Sequence, residues 1–322
     1  MARSALFTTV PDRGRNGLAI AGLSIVFVLL TPWLLLCTSF SFVQLFCLSL
    51  VAILALGGAG TWMQLERARG HHPDEAVDGV RAVLRILVVF ALVTPFWSLF
   101  DQKASTWVLA GAKMESWWLS PSQMQSINPA LVMIIIPLNN FVLYPLLRKR
   151  GIELSALRRM TIGLFSAAAS WVAIGCIQLV LDGGSALSLA WQILPYILLT
   201  FGEVMVSATG LEFAYSQAPP AMKGVIMSFW QLAVTIGNLW VLLVNSGVRN
   251  PSVIKSIEST GLSEKAFLFF FFAAFAFLSA IAFAFYAKRY KVVDHYRDSS
   301  PAQPEPQAKS VPEARVVKDG DK

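Results

Sequence analysis

Charged residues, histidine and cysteine are scarce in this chain of 322 residues. Charged side chains make up 14% of it, whereas 56% of the residues are hydrophobic. A soluble domain of this length needs much more polar surface to stay in solution, so the composition excludes one. The three cysteines lie within apolar runs or, in the case of Cys37, directly at the end of one, where a thiol behaves as a small hydrophobic side chain. They therefore indicate neither a disulfide nor a metal site.

Motifs of catalysis are also absent from the sequence. It has no H-E-x-x-H motif, and its three histidines, His71, His72 and His295, lie in polar segments outside the apolar runs. His71 and His72 are adjacent and cannot share a helix face, so a solvated loop is the simpler interpretation. The sequence contains no phosphate-binding P-loop, which excludes ATP hydrolysis as a driving force. We therefore predict no enzyme, no cofactor and no metal ion.

What the chain does have is a series of eight long apolar runs. An α-helix needs about twenty apolar residues to cross a bilayer, and each run is close to that length or longer. The runs are residues 17–36, 41–62, 83–110, 129–147, 160–181, 190–214, 224–246 and 266–287. The sequence therefore predicts an all-α, polytopic membrane protein with eight transmembrane helices.

The formal net charge of +7 indicates an orientation in the membrane and not a nucleic-acid surface, because the basic residues cluster in alternate loops. The clusters are Arg13 and Arg15; Arg67, Arg69, Arg81 and Arg85; Arg148, Lys149, Arg150, Arg158 and Arg159; and Lys288, Arg289 and Lys291. By the positive-inside rule these loops and both termini are cytoplasmic, which agrees with an even number of spans. We predict no nucleic-acid partner.

The apolar runs group into a short hairpin and a larger unit. The predicted organisation is a cytoplasmic N-terminal segment 1–16, a transmembrane hairpin 17–62, a cytoplasmic loop 63–82, a six-helix unit 83–290 and a disordered cytoplasmic tail 291–322. The tail is rich in proline and in polar and charged residues, so it cannot bury enough apolar surface to fold.

Asp101 and Lys103 lie in the third apolar run, where a spanning helix tolerates charge poorly. An ionised carboxylate near the middle of a bilayer costs about 2.5–3.5 kcal/mol on insertion scales, so Asp101 is a functional candidate. Thr94, Trp97 and Ser105 share its predicted helix face and form a polar stripe toward the bundle interior. A structural ion pair is the alternative role for Asp101. Lys103 lies on another face and either pairs with a different interior acid or reaches toward the headgroups.

Glu203 is the second acid inside an apolar run. Thr200 and Ser207 lie at helical spacing from it and form a second polar face. Asn128 precedes a proline at the start of the fourth run, from where its amide can project into a central cavity. Trp230 stands out among the aromatic residues because polar residues flank it, although a single tryptophan is more often an interface anchor.

Three segments together resemble the proton-dependent oligopeptide transporter (POT) family of the major facilitator superfamily. They are "FWSLFDQKASTWVL" at 96–109, "QSINPALVMIIIPLNNFVLYPLL" at 125–147 and "GEVMVSATGLEFAYSQAPPAMKGVIMSFWQLAVTIGN" at 202–238. The third segment is the most specific, since it is similar to the family through two helices and the loop between them. The resemblance extends over about residues 83–290.

The resemblance implies that residues 83–290 are the six-helix C-terminal bundle of a major facilitator fold, and that the preceding hairpin is the one bacterial members insert between two bundles. The family's N-terminal bundle, with its E-x-x-E-R motif, has no counterpart in the sequence, so the chain looks like half a transporter. The resemblance further implies that Asp101 takes part in proton coupling and gating. It implies that Glu203 faces the amino terminus of a peptide, and that Asn128, Ser207 and Trp230 line the peptide pocket.

The function implied is import of di- and tripeptides by proton symport across the bacterial inner membrane. The partners implied are protons, small peptides, the lipid bilayer and a missing N-terminal six-helix bundle. A peptide is zwitterionic, and the chain offers Glu203 for its ammonium group but no evident base for its carboxylate. Two alternatives stay open: a non-transporting truncated fragment, and a partner subunit that docks on a separately encoded N-terminal bundle.

Overall fold

The protein is helical throughout the part of the chain that its structure, a computed structural model, describes. The described residues are 16–37, 45, 48–49, 52–68, 73–116, 118–218, 222–248 and 251–290. Within these ranges the backbone forms helices and turns, with one isolated β-bridge between Glu115 and Ser188. The predicted all-α class is therefore confirmed. The predicted tail and nearly all of the predicted N-terminal segment lie outside the described residues.

Twelve α-helices are described, and several are extended by π-helical or 3-10 segments. They are α1 Asn16–Cys37, α2 Gly58–Ala68, α3 Asp74–Gln102, α4 Val108–Gly111, α5 Ile127–Leu138, α6 Tyr144–Lys149, α7 Ala156–Asp182, α8 Ile193–Glu203, α9 Thr209–Gln217, α10 Lys223–Val248, α11 Pro251–Glu258 and α12 Glu264–Arg289. The π-helical segments are Ile53–Gly57, Lys103–Trp107, Asn139–Leu143 and Val204–Ala208.

Six continuous helical stretches are long and apolar enough to cross a membrane. They are Val77–Gly111, Gln123–Lys149, Ala156–Asp182, Leu189–Gln217, Lys223–Val248 and Glu264–Arg289. Each contains one of the last six predicted spans, so these six are confirmed. In the predicted hairpin, Ala19–Thr31 counts only as a shorter apolar helix, and most of residues 38–51 lie outside the described part. The total of eight spans therefore stays a prediction.

Serine side chains fix where several helices begin. The first backbone N–H groups of a helix have no partner inside it, and a serine hydroxyl just before the first turn accepts one of them. Ser155 accepts from the Arg158 N–H before α7, and Ser263 accepts from the Ala266 N–H before α12. These caps set the ends of two helices that pack together at the centre of the bundle.

Glycines allow the central helices to approach closely. Lipid tails are as apolar as the helix surfaces, so association of helices in a membrane depends on close packing. A Cβ atom on Gly163 of α7 would lie 2.8 Å from the carbonyl oxygen of Gly202 in α8. A Cβ atom on Gly202 would likewise lie 2.8 Å from the Gly163 oxygen. The two helices cross with almost nothing between their backbones.

Two spans leave most of their surface outside the bundle. Only 11% of the residues in the apolar window of Gln123–Lys149 are buried, and 22% of those in Lys223–Val248. In Val77–Gly111 and Leu189–Gln217 the share is 50%. The open spans therefore need lipid or another protein to cover them.

Candidate functional site

Glu203 ends α8 and is tied to the start of α5 by an asparagine. The Asn128 Nδ2 group donates one hydrogen bond to Glu203 Oε2 at 2.7 Å and one to Thr200 Oγ1 at 2.9 Å. Because an amide nitrogen carries two hydrogens, both are used, and the amide oxygen stays available as an acceptor. The structure thus brings together Asn128, Thr200 and Glu203, which the sequence had placed on two separate runs.

Ser207 lies four residues after Glu203, within the π-helical segment Val204–Ala208. The side chain is half-buried, and its hydroxyl has no hydrogen-bond partner among the residues that the structure describes. A π turn adds a residue to the helix and changes the direction of the side chains that follow it. The hydroxyl is therefore an unused polar group near the carboxylate, and its pocket-lining role stays a prediction.

Asp101 lies near the end of α3 and accepts a hydrogen bond from α10. The Asn238 Nδ2 group donates to Asp101 Oδ2 at 2.7 Å. The preceding residue, Gly237, makes this contact possible. A Cβ atom there would lie 2.8 Å from the Thr94 carbonyl oxygen and 3.1 Å from the Trp97 Cβ atom. The predicted polar stripe on α3 therefore faces α10 as far as Asp101.

Ser105 departs from that stripe. The α-helix ends at Gln102, and the π-helical segment Lys103–Trp107 follows at once. Ser105 lies inside this segment, is exposed, and donates its hydroxyl hydrogen back to the Gln102 carbonyl oxygen at 3.1 Å. Because the π-helical segment breaks the α-helical period, Ser105 does not follow Asp101 at regular spacing, and its predicted orientation toward the bundle interior stays a prediction.

Lys103, which had no assigned role, is buried and interacts electrostatically with both acidic residues. Its side chain is only 7% exposed, and its ammonium nitrogen lies 3.1 Å from the centre of the Phe100 ring. The ammonium interacts electrostatically with the carboxylates of Glu203 and Asp101. Burial of the side chain against Phe100 disfavours extension to the headgroups, while an ion pair with an interior acid stays a prediction.

Gln125 holds the backbone around Lys103 in place. Its Nε2 group donates to the Lys103 carbonyl oxygen at 2.9 Å and to the Tyr196 hydroxyl at 2.7 Å. The first bond gives the Lys103 carbonyl oxygen a side-chain donor from another helical segment. Gln125 therefore joins the ends of α3, α5 and α8 in one polar cluster.

Trp230 is a packing residue at the junction of three helices. It is 5% exposed and makes edge-on contacts with Phe90 and Trp97 of α3, with ring centres 5.2 and 5.7 Å apart. On its other side it lies against Gly210 of α9, where a Cβ atom would come within 2.8 Å of the indole ring. Its predicted place in the peptide pocket stays a prediction, since little of the ring is accessible in this conformation.

Two polar residues of the cluster were not singled out from the sequence. Asn238 and Gln125 each lie in a quoted segment of the resemblance, Asn238 at its last position. A polar side chain inside an apolar span is itself a signal, because it must find a partner away from water. Applying that rule to amides as well as acids would have found both. Among the residues described, no group of three or more His, Cys, Asp or Glu side chains is arranged to hold a metal ion.

Comparison with known proteins gives one consistent family. The PTR2 family model, described as the POT family, matches residues 62–260. A probable peptide transporter of Schizosaccharomyces pombe is 27% identical over 208 residues, which are 61% of this chain and 33% of that protein. Rabbit (Oryctolagus cuniculus) solute carrier family 15 member 1 is 33% identical over 122 residues, 37% of this chain and 17% of that protein.

Solved structures extend the similarity to most of this chain. The crystal structure of an auto-inhibited POT family peptide transporter is 61% identical with a TM-score of 0.86, and the POT family transporter PepTSo is 57% identical with a TM-score of 0.82. In both cases the match covers 92% of this chain and 58% of the other. The chain thus spans a third of the yeast relative and less than two thirds of these transporters.

Proposed function

This chain belongs to the POT family, and we propose that it forms the six-helix C-terminal bundle of a transporter that imports di- and tripeptides together with protons. It is an integral membrane protein of a transporter family and not an enzyme. The observation that carries the proposal is the cluster of Asp101, Lys103, Asn128 and Glu203 within spans that should hold no charge. Relatives described as peptide transporters supply the substrate class.

Glu203 is the proposed partner of the peptide ammonium group. Asn128 occupies one carboxylate oxygen, and Oε1 has no hydrogen-bond partner among the described residues. The nearby Asn128 amide oxygen and Ser207 hydroxyl are further acceptors for the three ammonium hydrogens. Trp230 would border this site through its contact with Gly210 of α9, which lies about two helical turns after Glu203.

Lys103 does not serve the peptide carboxylate in this proposal. Its ammonium is nearly buried, rests on the Phe100 ring and already interacts with two carboxylates. Its role is to lower the cost of holding Asp101 and Glu203 inside the membrane. We assign the peptide carboxylate to a basic residue outside this chain.

Asp101 is the proposed proton-coupling residue. Its carboxylate is half-buried and is held by a single amide hydrogen bond from α10, one of the two open spans. Relative movement of α10 would change both the hydrogen bond and the access of water to the carboxylate. A carboxyl group whose surroundings change in this way binds and releases a proton as the transporter changes state.

A second bundle is the proposed cover for the open spans Gln123–Lys149 and Lys223–Val248. Transporters of this type move two bundles around a central site, so one bundle alone has no alternating access. We place the protein in the bacterial inner membrane with both termini in the cytoplasm, as the basic loops favour. A non-transporting fragment and a subunit that docks on a separately encoded bundle are the competing proposals.

Uptake by a chimera tests these proposals. The chain would be joined to the remaining part of the 61% identical transporter and reconstituted in liposomes with an inward proton gradient. We expect accumulation of a labelled dipeptide above its outside concentration, and none by the chain alone. A folded, inserted chimera without uptake supports the non-transporting fragment. Uptake after the two parts are supplied as separate chains supports the docking subunit.

A further inference from the structure

A cavity of about 590 Å³ lies beside α3, away from the acidic cluster. It is bounded by α2, α3 and α10, with Tyr286 of α12 at one side. Its lining is mostly apolar, with Trp62 from α2, Leu84 and Val88 from α3, and Phe229 from α10. Such a space inside a membrane protein suits hydrocarbon chains better than water.

Arg85 is the charged residue in this lining, and no acidic residue lines the cavity. Two other polar groups of the lining are already bonded to the backbone. The Thr94 hydroxyl donates to the Phe90 carbonyl oxygen at 3.0 Å, and the Tyr286 hydroxyl donates to the Arg85 carbonyl oxygen at 3.2 Å. The Arg85 guanidinium is half-buried and makes no ion pair or hydrogen bond with any residue that the structure describes.

The neighbouring Arg81 has an acidic partner, although its buried Nε atom makes no hydrogen bond among the described residues. It lies one turn earlier on α3, forms an ion pair with Glu66 of α2, and stacks 5.0 Å from the centre of the Trp62 ring. Among the described residues, Arg85 has no acidic partner and no aromatic ring stacked on its guanidinium. A half-buried guanidinium without an anion is costly, which points to an anionic ligand that is not among the described residues.

The depth of Arg85 identifies the source of that anion. The span Val77–Gly111 has 35 residues, or about 52 Å of helix, against about 30 Å of hydrocarbon. Arg85 lies about 12 Å along the helix from Val77, so its guanidinium falls near the boundary between headgroups and acyl chains. The same end of the bundle carries the basic residues Arg148, Lys149 and Arg289.

We propose that this cavity is a binding site for an anionic phospholipid, with its phosphate on Arg85 and an acyl chain along α2, α3 and α10. Basic pockets between helices at the cytoplasmic side of a membrane bind lipid headgroups in this way. The guanidinium supplies paired donors for phosphate oxygens, and the apolar lining selects a lipid over a free anion. The site does not depend on the proposed transport function.

The test measures lipid binding to the purified full chain in detergent. The probes are palmitoyl-oleoyl phosphatidylglycerol, the matching phosphatidylcholine, and inorganic phosphate, followed by native mass spectrometry and by thermal unfolding. We expect phosphatidylglycerol to bind about tenfold or more tightly than phosphatidylcholine, and phosphate to have no effect. Equal binding of the two lipids would overturn the proposal, and so would stabilisation by phosphate alone.

Three variants locate the site. Arg85→Gln should remove the preference for phosphatidylglycerol, while Ala59→Phe, which fills the cavity from α2, should weaken binding of both lipids. Arg158→Gln is the matched control, because that arginine is exposed at another helix and donates to the Glu153 carbonyl oxygen. The proposal is wrong if Arg85→Gln still binds phosphatidylglycerol more tightly than phosphatidylcholine. It is also wrong if Arg158→Gln reduces this preference as much as Arg85→Gln does. If Ala59→Phe changes the oligomeric mass and not the lipid count, a second copy of the chain covers the cavity instead.

Arg85→Lys provides the check against misfolding. It keeps the charge but loses the paired donors, so it should fall between the original chain and Arg85→Gln. If Arg85→Gln does not fold, Arg85→Lys and Ala59→Phe still decide the question. Unaltered lipid binding in both would show that neither the guanidinium nor the cavity holds the lipid.

Discussion

Asp101 and Glu203 have similar local structure, but the residues around them differ. Asp101 and Glu203 both lie at the end of an α-helix that continues as a π-helical segment. Each accepts an amide hydrogen bond at 2.7 Å from an asparagine on another helix. Each interacts with the same ammonium group, that of Lys103. On these features alone the two sites would be interchangeable.

The difference lies in how firmly each asparagine is held. Asn128 bonds to both Glu203 and Thr200 of the same helix, so α5 and α8 are joined at two points. Asn238 makes one bond to Asp101, from the open span Lys223–Val248. We infer that the Glu203 region is a rigid site suited to holding a ligand. In the Asp101 region one side-chain hydrogen bond joins the carboxylate to α10, which suits a group that changes its hydrogen-bond partner during transport.

The largest effect is expected from Asp101→Asn in the chimera described above. Asparagine keeps the size of the side chain but cannot take up a proton, so proton-driven accumulation of a dipeptide should be lost. Peptide binding and exchange without a gradient should persist, because the Glu203 region is unchanged. Uptake of labelled dipeptide with and without the proton gradient checks this. Continued accumulation against a concentration gradient would show that Asp101 is not the coupling residue.

The second-largest effect is expected from Glu203→Gln, and it concerns peptide binding. A charge-assisted hydrogen bond contributes about 1.5–3 kcal/mol, so loss of the carboxylate should weaken binding of a free dipeptide by about ten- to a hundredfold. A peptide blocked at its amino terminus has no ammonium group, and its weaker binding should hardly change. Affinities of both peptides are measured in the same preparation by competition. Equal losses for the two peptides would exclude Glu203 as the ammonium partner.

Glycine-to-alanine substitutions should have a smaller effect, and they compare how closely the helices pack in the two regions. A Cβ atom on Gly202 would lie 2.8 Å from a backbone oxygen of α7, and one on Gly237 2.8 Å from a backbone oxygen of α3. Gly202→Ala and Gly237→Ala should each lower the free energy of unfolding by about 1–3 kcal/mol, as overpacking does. The loss should be greater at Gly202, because α7 and α8 lie deeper in the bundle.

Gly224→Ala is the matched control for these two variants. It lies on α10, and a Cβ atom there meets nothing within 4 Å. The substitution should leave stability unchanged or raise it by up to about 1 kcal/mol, through the better helix propensity of alanine. Thermal unfolding of the chain in detergent measures all three. A loss at Gly224 equal to that at Gly237 would mean that close approach of the helices is not the cause.

The six spans were predictable because length and apolarity are properties of each segment by itself. The resemblance placed Asp101, Asn128 and Glu203 on those spans, and the structure joins two of them directly. What could not be predicted depends on contacts between distant segments. Asn238 donates a hydrogen bond to Asp101 across 137 positions of sequence, and the π-helical segment after Gln102 interrupts the α-helical period before Ser105. Neither follows from helical periodicity, which assumes a constant turn angle.

The smallest effects are expected from replacing Asn128 and Asn238 by alanine. These two variants test whether the Glu203 region and the Asp101 region have different roles. Asn128→Ala removes a fixed donor beside the proposed ammonium site. Binding of a free dipeptide should therefore weaken by about two- to twelvefold, the equivalent of about 0.5–1.5 kcal/mol for one hydrogen bond. Accumulation driven by the gradient, at saturating peptide, should be little affected.

Asn238→Ala should produce the opposite pattern. Peptide affinity should stay within about twofold, because the hydrogen bond described for the Asn238 amide goes to Asp101 and not to Glu203. Accumulation should fall, since the loss of the single amide bond leaves Asp101 without its partner on α10 and so disturbs the step at which the proton is exchanged. Affinity and accumulation would be measured on the same liposomes for both variants. If each asparagine changes both quantities to the same extent, the two regions act as one unit, and the division between a ligand site and a coupling site fails.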